Sequence, residues 1–255
     1  HFALIYPDFS NRFETKNEIK QTLYRLLSAQ TGRELPWGTL TGIRPTKIAL
    51  TKLYDGWTDE QIETYMRETY FTSKEKIDLS IEVAERELEL LSRIDYEKGY
   101  SLYVGIPFCP STCLYCSFTS YPIGKWVDRI DEYLDALEKE IRFTADRFHD
   151  RHLNTIYIGG GTPTILPARD LVMMLDAVRG LWGIEPEAEI TTEANPDTVD
   201  ERYIGALAEG GFTRVSFGMQ SAVPHVLKTL DRTHTPANVE AGSGFIKTIS
   251  VFTNL

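Results

Sequence analysis

The sequence predicts an α/β protein: a parallel sheet of repeated strand–helix units over residues 100–255, preceded by a mainly helical region over residues 1–99. Three observations carry that expectation. Apolar residues recur at helical spacing through the first hundred positions. From Tyr100 onward, short apolar runs of strand length alternate with helical stripes, which implies βα units and right-handed crossovers. Finally, the unusual polar and glycine-rich residues fall at the same end of successive strands.

In the first region Ile19, Leu23, Leu26 and Leu27 form one apolar stripe, and Ile81, Ala84, Leu88 and Leu91 form another. Both are predicted core faces. Between them Trp37–Lys47 is rich in turn residues and leads into Ile48, Ala49 and Leu50; Pro45 suits the first turn of that helix. Arg44 and Lys47 stand at its start, where the helix dipole favours anions rather than cations. A solvated helix start is the simpler expectation there.

In the second region Leu102–Ile106 is the first strand, followed by a cysteine loop and a helix through Ile130, Leu134, Leu137 and Ile141. Thr155–Ile158 is the second strand, with a helix carrying Leu171, Leu175, Val178 and Trp182. Glu189–Glu193 is the third; its helix opens on a capping box, Thr198 with Glu201, and stops at Gly210 and Gly211. Arg214–Phe217 is the fourth, with a helix through Val223, Val226 and Leu230. Ligands bind at the carboxyl ends of parallel strands. Those ends carry Cys109, Cys113 and Cys116, then Gly159–Pro163, then Glu193–Pro196, then Gln220, so one mouth is the expected site.

A chain of 255 residues makes one large domain or two modest ones. With 42% hydrophobic and 25% charged residues it is not a disordered chain. Lys and Arg number 27 against 37 Asp and Glu, a net charge of −10, which argues against nucleic acid as the main partner while leaving room for a local basic pocket. No run approaches the roughly 18 apolar residues of a membrane span. His1–Leu4 lacks the features of a signal peptide, so a soluble cytoplasmic protein is expected. The first residue is not Met, and the start is read as processed or cut.

All three cysteines, Cys109, Cys113 and Cys116, lie within eight residues. An odd, clustered set is a poor disulfide framework. Three thiolates without a fourth ligand suit a [4Fe–4S] cluster with one iron left open. A structural zinc site normally closes with four ligands, and zinc or chance grouping remain the alternatives. Gly159, Gly160 and Gly161 allow a ligand to approach the backbone closely, or simply make a tight turn. They are not a phosphate P-loop, because the Gly-Lys-Ser/Thr ending is missing. Glu193 could accept hydrogen bonds from a ribose or an ammonium, while Gln220 and Arg232 carry weaker signals of their own.

Taken together these residues resemble a family. Leu102–Cys116 is similar to the cluster loop of radical S-adenosylmethionine (SAM) enzymes, and more narrowly to the oxygen-independent coproporphyrinogen III oxidases, also called coproporphyrinogen dehydrogenases. Gly159–Thr164, Glu193–Pro196, Val215–Ser221 and Leu230–Thr235 match that family in order and approximate spacing. Leu40–Ile48 resembles its Firmicutes-type, oxidase-like branch. The resemblance covers Tyr100 to Thr235, and residues 1–99 only through that one motif.

The resemblance implies a partial (β/α)6 radical SAM barrel. It implies that Cys109, Cys113 and Cys116 ligate a [4Fe–4S] cluster. SAM would bind its open iron, in one copy or two. Gly159, Gly160 and Gly161 belong to the SAM-binding motif; Tyr103, Gly161 and Glu193 match positions that contact the first SAM, and Tyr115, Thr162, Gln220 and Arg232 match those around a second. The implied reaction is removal of a hydrogen atom from a propionate of coproporphyrinogen III, then loss of CO2 and an electron to leave a vinyl group. Two rounds give protoporphyrinogen IX in oxygen-independent haem biosynthesis. A flavodoxin or ferredoxin would supply electrons. Phe118 departs from the pattern, because the oxidase proper has a further cysteine there, which the related haem chaperones lack. Binding haem as a chaperone, or another radical reaction on a tetrapyrrole, are therefore the alternatives. About four βα units are recognisable of the family's six, Asn238–Phe245 is shorter than the family's helix, and Ile249–Leu255 lacks its usual continuation, so a truncated chain is expected.

Overall fold

The computed structural model describes residues 9–42, 44–95, 98–248 and 252–254. His1–Leu4 and, within the Leu40–Ile48 motif, Ile43 lie outside the described residues, as do 249–251 and 255 in the terminal segment. The chain divides into two compact units, 1–94 and 95–255. Asp95 goes with the second because its carbonyl accepts from Gly99 N–H at 2.9 Å and from the Asn154 amide at 2.9 Å.

Among the described residues the first unit holds four helices: α1 (Arg12–Thr31), α2 (Lys47–Tyr54), α3 (Asp59–Tyr70) and α4 (Lys74–Leu91). Local signals set their starts. Asn11 accepts from Phe13 and Glu14 N–H, Thr58 and Gln61 make a capping box for α3, and Ser73 caps α4. The unit's core is Ala49, Leu50, Ile62, Met66, Ile77, Ile81 and Ala84. The α4 stripe is thus buried as expected through Ile81 and Ala84. The α1 stripe is not: Ile19, Leu23, Leu26 and Leu27 are all exposed. The helix is tied to its unit by polar bonds, Gln21 to the Glu68 and Thr69 carbonyls, and by Tyr24 against Phe71. Helical periodicity marks a possible apolar face without saying whether anything covers it. Pro45 sits before the helix, in the preceding turn, and its carbonyl accepts from Ile48 N–H at 3.2 Å.

The second unit runs β1 (Gly99–Ile106), β2 (Phe108–Cys109), β3 (Tyr121–Pro122), α5 (Ile130–Arg147), β4 (His152–Gly160), α6 (Ala168–Leu181), β5 (Ile184–Ala194), α7 (Glu201–Glu209), β6 (Arg214–Phe217), α8 (Pro224–Thr229), α9 (Pro236–Thr248) and β7 (Phe252–Asn254). Five strands form one parallel sheet in the order β1-β4-β5-β6-β7, and β2 pairs with β3 beside it. The four expected strands are all present. β7 is a fifth that the sequence did not announce, because its three residues lack the length of a strand signal.

Strand parity decides the two faces of the sheet. Val104, Ile106, Ile156, Ile158 and Ile190 pack under Ile141, Leu171, Leu175 and Val178 of α5 and α6. Burying each such side chain is worth about 1.5–3 kcal/mol. The opposite parity carries Tyr103, Gly105, Tyr157, Gly159 and Glu193. The α7 start differs from expectation: Asp200 is its N-cap, accepting from Tyr203 N–H at 2.8 Å. Thr198 instead donates to the Asn195 carbonyl at 2.9 Å and meets the Thr164 hydroxyl at 2.6 Å, tying the ends of β4 and β5 together.

Candidate active site at the strand ends

The loop after β1 brings three thiols to the carboxyl edge of the sheet. Tyr121 N–H binds the Pro107 carbonyl at 2.7 Å, Thr162 N–H binds that of Phe108 at 2.7 Å, and Leu114 N–H reaches Leu230 at 3.3 Å, so the loop is held from three sides. Cys109, Cys113 and Cys116 are unbridged and half-buried. They line a cavity of about 190 Å3 together with Tyr115, Gly160, Gly161, Thr162, Gln220 and Arg232. A neighbouring cavity of about 240 Å3 shares Gly161, Thr162, Gln220 and Arg232 and adds Glu193. Ten of the twelve expected site residues thus meet in one basin. Tyr103 and Gly159 do not line it; they sit one layer along the sheet face. Tyr103 stacks on Tyr157 at 5.8 Å, and a Cβ on Gly159 would lie 3.1 Å from the Glu193 carboxylate. A larger groove of about 410 Å3 outside the sheet, between α5 and α6, contains none of these residues.

Each key side chain is placed by a neighbour. Arg232 donates to Cys113 Sγ at 3.1 Å, to the Gly218 carbonyl at 3.1 Å and to Asn195 Oδ1, while its Nε is buried without a partner among the described residues. Thr162 Oγ1 donates to Cys109 Sγ at 3.5 Å. Burial pushes the Cys109 thiol up, the Thr162 and Ser120 hydroxyls oppose that, and the two other cysteines add to it. Tyr157 donates to Glu193 Oε1 at 2.7 Å. Gln220 has φ 62°, a left-handed conformation uncommon for a residue with a side chain, and it lines both cavities. Gly161 is needed for space, since a Cβ there would lie 2.5 Å from the Phe108 carbonyl oxygen and 2.9 Å from Cys109 Sγ.

Asn195 and Tyr157 were not singled out from sequence. Asn195 lines both cavities and orients Arg232. It stands inside the Glu193–Pro196 motif, so the motif held the signal. Tyr157 is two residues from Gly159 and therefore on the same sheet face, a parity argument available from the strand alone.

Among the described residues no three His, Cys, Asp or Glu side chains converge as a single ion requires. Zinc holds thiolate sulfur at about 2.3 Å, which draws its ligands to one point. An iron–sulfur cube takes three thiolates at three separate corners, and three unbridged thiols line this one cavity.

The domain model of the radical SAM superfamily matches residues 103–244. The chain belongs to the radical SAM superfamily. Members of this superfamily use a [4Fe–4S] cluster and SAM. The relatives are haem-related. A Bacillus subtilis protein named oxygen-independent coproporphyrinogen-III oxidase-like protein HemZ is 35% identical over 243 residues, 92% of this chain and 48% of that protein. Mycobacterium tuberculosis heme chaperone HemW is 39% identical over 145 residues, 56% of this chain and 37% of that one. Among solved structures, the Escherichia coli coproporphyrinogen III oxidase HemN, described as a radical SAM enzyme, superposes with a TM-score of 0.55 at 32% identity, covering 60% of this chain and 36% of that one. This radical SAM chain therefore spans about half the length of HemZ and less of the other two. Among the described residues no helix is long and apolar enough to cross a membrane.

Proposed function

We propose that this radical SAM protein oxidatively decarboxylates propionate side chains of coproporphyrinogen III, giving protoporphyrinogen IX without oxygen, in the cytoplasm and with electrons from a flavodoxin or ferredoxin. The observation that carries this is the shared wall of the two cavities. The same Gly161, Thr162, Gln220 and Arg232 border both the three thiols and the Glu193 carboxylate, so a cluster and a molecule beside it would lie in contact. The likeness to HemZ, which runs through both units, supports the oxidase-like branch.

When bound, the cluster and SAM supply one-electron chemistry that takes a hydrogen atom from the substrate. The chain's own residues do the rest. Cys109, Cys113 and Cys116 would hold the cluster through their thiolates. Glu193, fixed by Tyr157, would accept from the SAM ammonium, and Gly161, where a Cβ has no room, would let the backbone approach it. Thr162 and Arg232 donate to two of the sulfurs, which stabilises negative charge there. Tyr103 extends the wall along the sheet face, and Tyr115, Gln220 and Arg232 close the basin on the side where a second SAM would sit. Each propionate would lose that hydrogen atom, then CO2, and pass one electron to an oxidised one-electron carrier, leaving a vinyl group.

Phe118 favours a second function. It is 77% exposed beside the cysteine loop, where the oxidase proper has a further cysteine, and the likeness to HemW points to carrying haem. Anaerobic incubation of the reconstituted gene product with coproporphyrinogen III, SAM and reductant separates the two. Protoporphyrinogen IX and two CO2 per substrate support the oxidase. Stoichiometric haem binding with no conversion overturns it in favour of the chaperone.

A further inference from the structure

In the first unit Leu40, Thr41, Gly42, Arg44, Pro45 and Lys47 form one wall of an open cavity. We propose that this cavity binds an organic oxyanion: a carboxylate or phosphate carried on an aromatic or other apolar body. It encloses about 430 Å3 and is lined by α2, α3 and the loop before α2. That volume is within the range of small-molecule sites, roughly 300–1,000 Å3. Among its described lining residues are three cations, Arg44, Lys47 and Lys52, and no carboxylate. In a chain with 37 acidic and 27 basic residues, a cation-only lining is against the general trend.

Two of those cations make no ion pair among the described residues. Elsewhere in the unit Arg67, Lys74, Arg86 and Arg93 each hold a carboxylate one helical turn away. Arg44 is paired with Glu87. Lys47 and Lys52 have no carboxylate partner among the described residues. Lys52 is instead half-buried and fixed over two rings, 4.0 Å from the Trp57 centroid and 4.9 Å from that of Tyr65. Contact with π faces offsets part of the cost of desolvating an ammonium but leaves its N–H groups able to donate. Tyr65 and Tyr70, whose hydroxyls lie 3.4 Å apart, supply an apolar wall with polar tips. Two glycines fix the path of the loop. Gly42 has φ 134°, and a Cβ on Gly38 would lie 1.9 Å from the Tyr70 carbonyl oxygen, so both positions demand glycine. Charge on one side and rings on the other select a ligand with an anionic head and a flat body.

The proposal is independent of the radical chemistry, so it is tested on the protein in air, without cluster or SAM. Isothermal titration calorimetry with 1-naphthyl phosphate and with naphthalene-2,6-dicarboxylate distinguishes the two kinds of head group, and 2-naphthol supplies the body without the anion. At least one anionic probe is expected to bind saturably, more weakly as salt rises, with 2-naphthol at least about tenfold weaker. Lys47→Gln, an exposed side chain whose loss leaves the unit's core intact, and Lys52→Gln should each weaken it about tenfold, whereas Lys139→Gln on α5 should not. Circular dichroism checks that Lys52→Gln folds. Absence of saturable heat up to about 1 mM probe, equal binding of 2-naphthol, or indifference to Lys47→Gln overturns the proposal.

Discussion

The Tyr157 hydroxyl donates to Glu193 Oε1 at 2.7 Å, across the neighbouring strands β4 and β5 and on the sheet face that holds the basin. The Tyr157 ring is itself held, stacked on Tyr103 with planes 10° apart. Glu193 is therefore a carboxylate whose position is set two strands away. Tyr157→Phe keeps the ring stack and removes the hydroxyl's bonds to Glu193 and to Ser216, the first worth about 1 kcal/mol or roughly fivefold in affinity. Binding of S-adenosylhomocysteine to the reconstituted protein should weaken by that factor, with iron content unchanged. Undiminished binding would show that Glu193 needs no such support.

Gly161→Ala probes the opposite side of the basin. The added Cβ would press on the Phe108 carbonyl and Cys109 Sγ, and the first is backbone that cannot turn aside. Gly161 N–H also binds the Ile106 carbonyl at 2.7 Å, so the residue has little freedom to retreat. The overpacking should cost about 1–3 kcal/mol and displace Cys109 from its place on the loop. Iron bound per chain after anaerobic reconstitution should fall well below that of the parent protein. Full iron loading would mean that the loop relaxes around a methyl group.

Arg232→Lys should destabilise even the protein without its cluster. The guanidinium reaches Cys113 Sγ, the Gly218 carbonyl and Asn195 Oδ1 at once, and an ammonium cannot span all three. A loss of about 2 kcal/mol is expected, read as a lowered thermal midpoint of the second unit. Arg214→Lys is the comparison. Its ion pair with Glu189 is largely open to solvent, so the change should cost under about 1 kcal/mol. Equal shifts for the two variants would remove Arg232 from its structural role.

Much of the second unit was legible in sequence because its signals are redundant. β6 was expected at Arg214–Phe217, after a helix that stops at Gly210 and Gly211, and the structure has the same bounds. The basin was legible too, because parallel strands deliver their carboxyl ends to one edge whatever the side chains are. What escaped depends on competition between equally good local partners. Thr198 and Asp200 are both fit to cap α7, and Thr198 was drawn away by Thr164 and the Asn195 carbonyl. The α1 stripe has the period of a buried face, but burial is decided by neighbours that periodicity cannot name. β7 is three residues long, and it is a strand by virtue of its pairing with β6.

Alkaline pH gives a test with a definite sign. Tyr133 donates to the Gly105 carbonyl at 2.9 Å and packs edge-on against Phe108, and burial pushes its phenol up to about 12. In the unfolded chain a tyrosine titrates near 10. The folded state therefore binds this proton more tightly, so the contribution is complete below about pH 10 and is lost as pH rises from there through 12. Tyr203, whose hydroxyl donates to the Leu166 carbonyl at 2.7 Å, is raised in the same direction, first by burial and then by Asp170. The double variant Tyr133→Phe, Tyr203→Phe should melt lower than the parent near pH 8, because two hydrogen bonds are gone. Between about pH 10 and pH 11.5 its melting temperature should fall less steeply than the parent's, because two linked protons are gone as well. Scanning calorimetry across that range reads both effects, and parallel slopes would mean that these phenols ionise in the folded protein as freely as in the unfolded one.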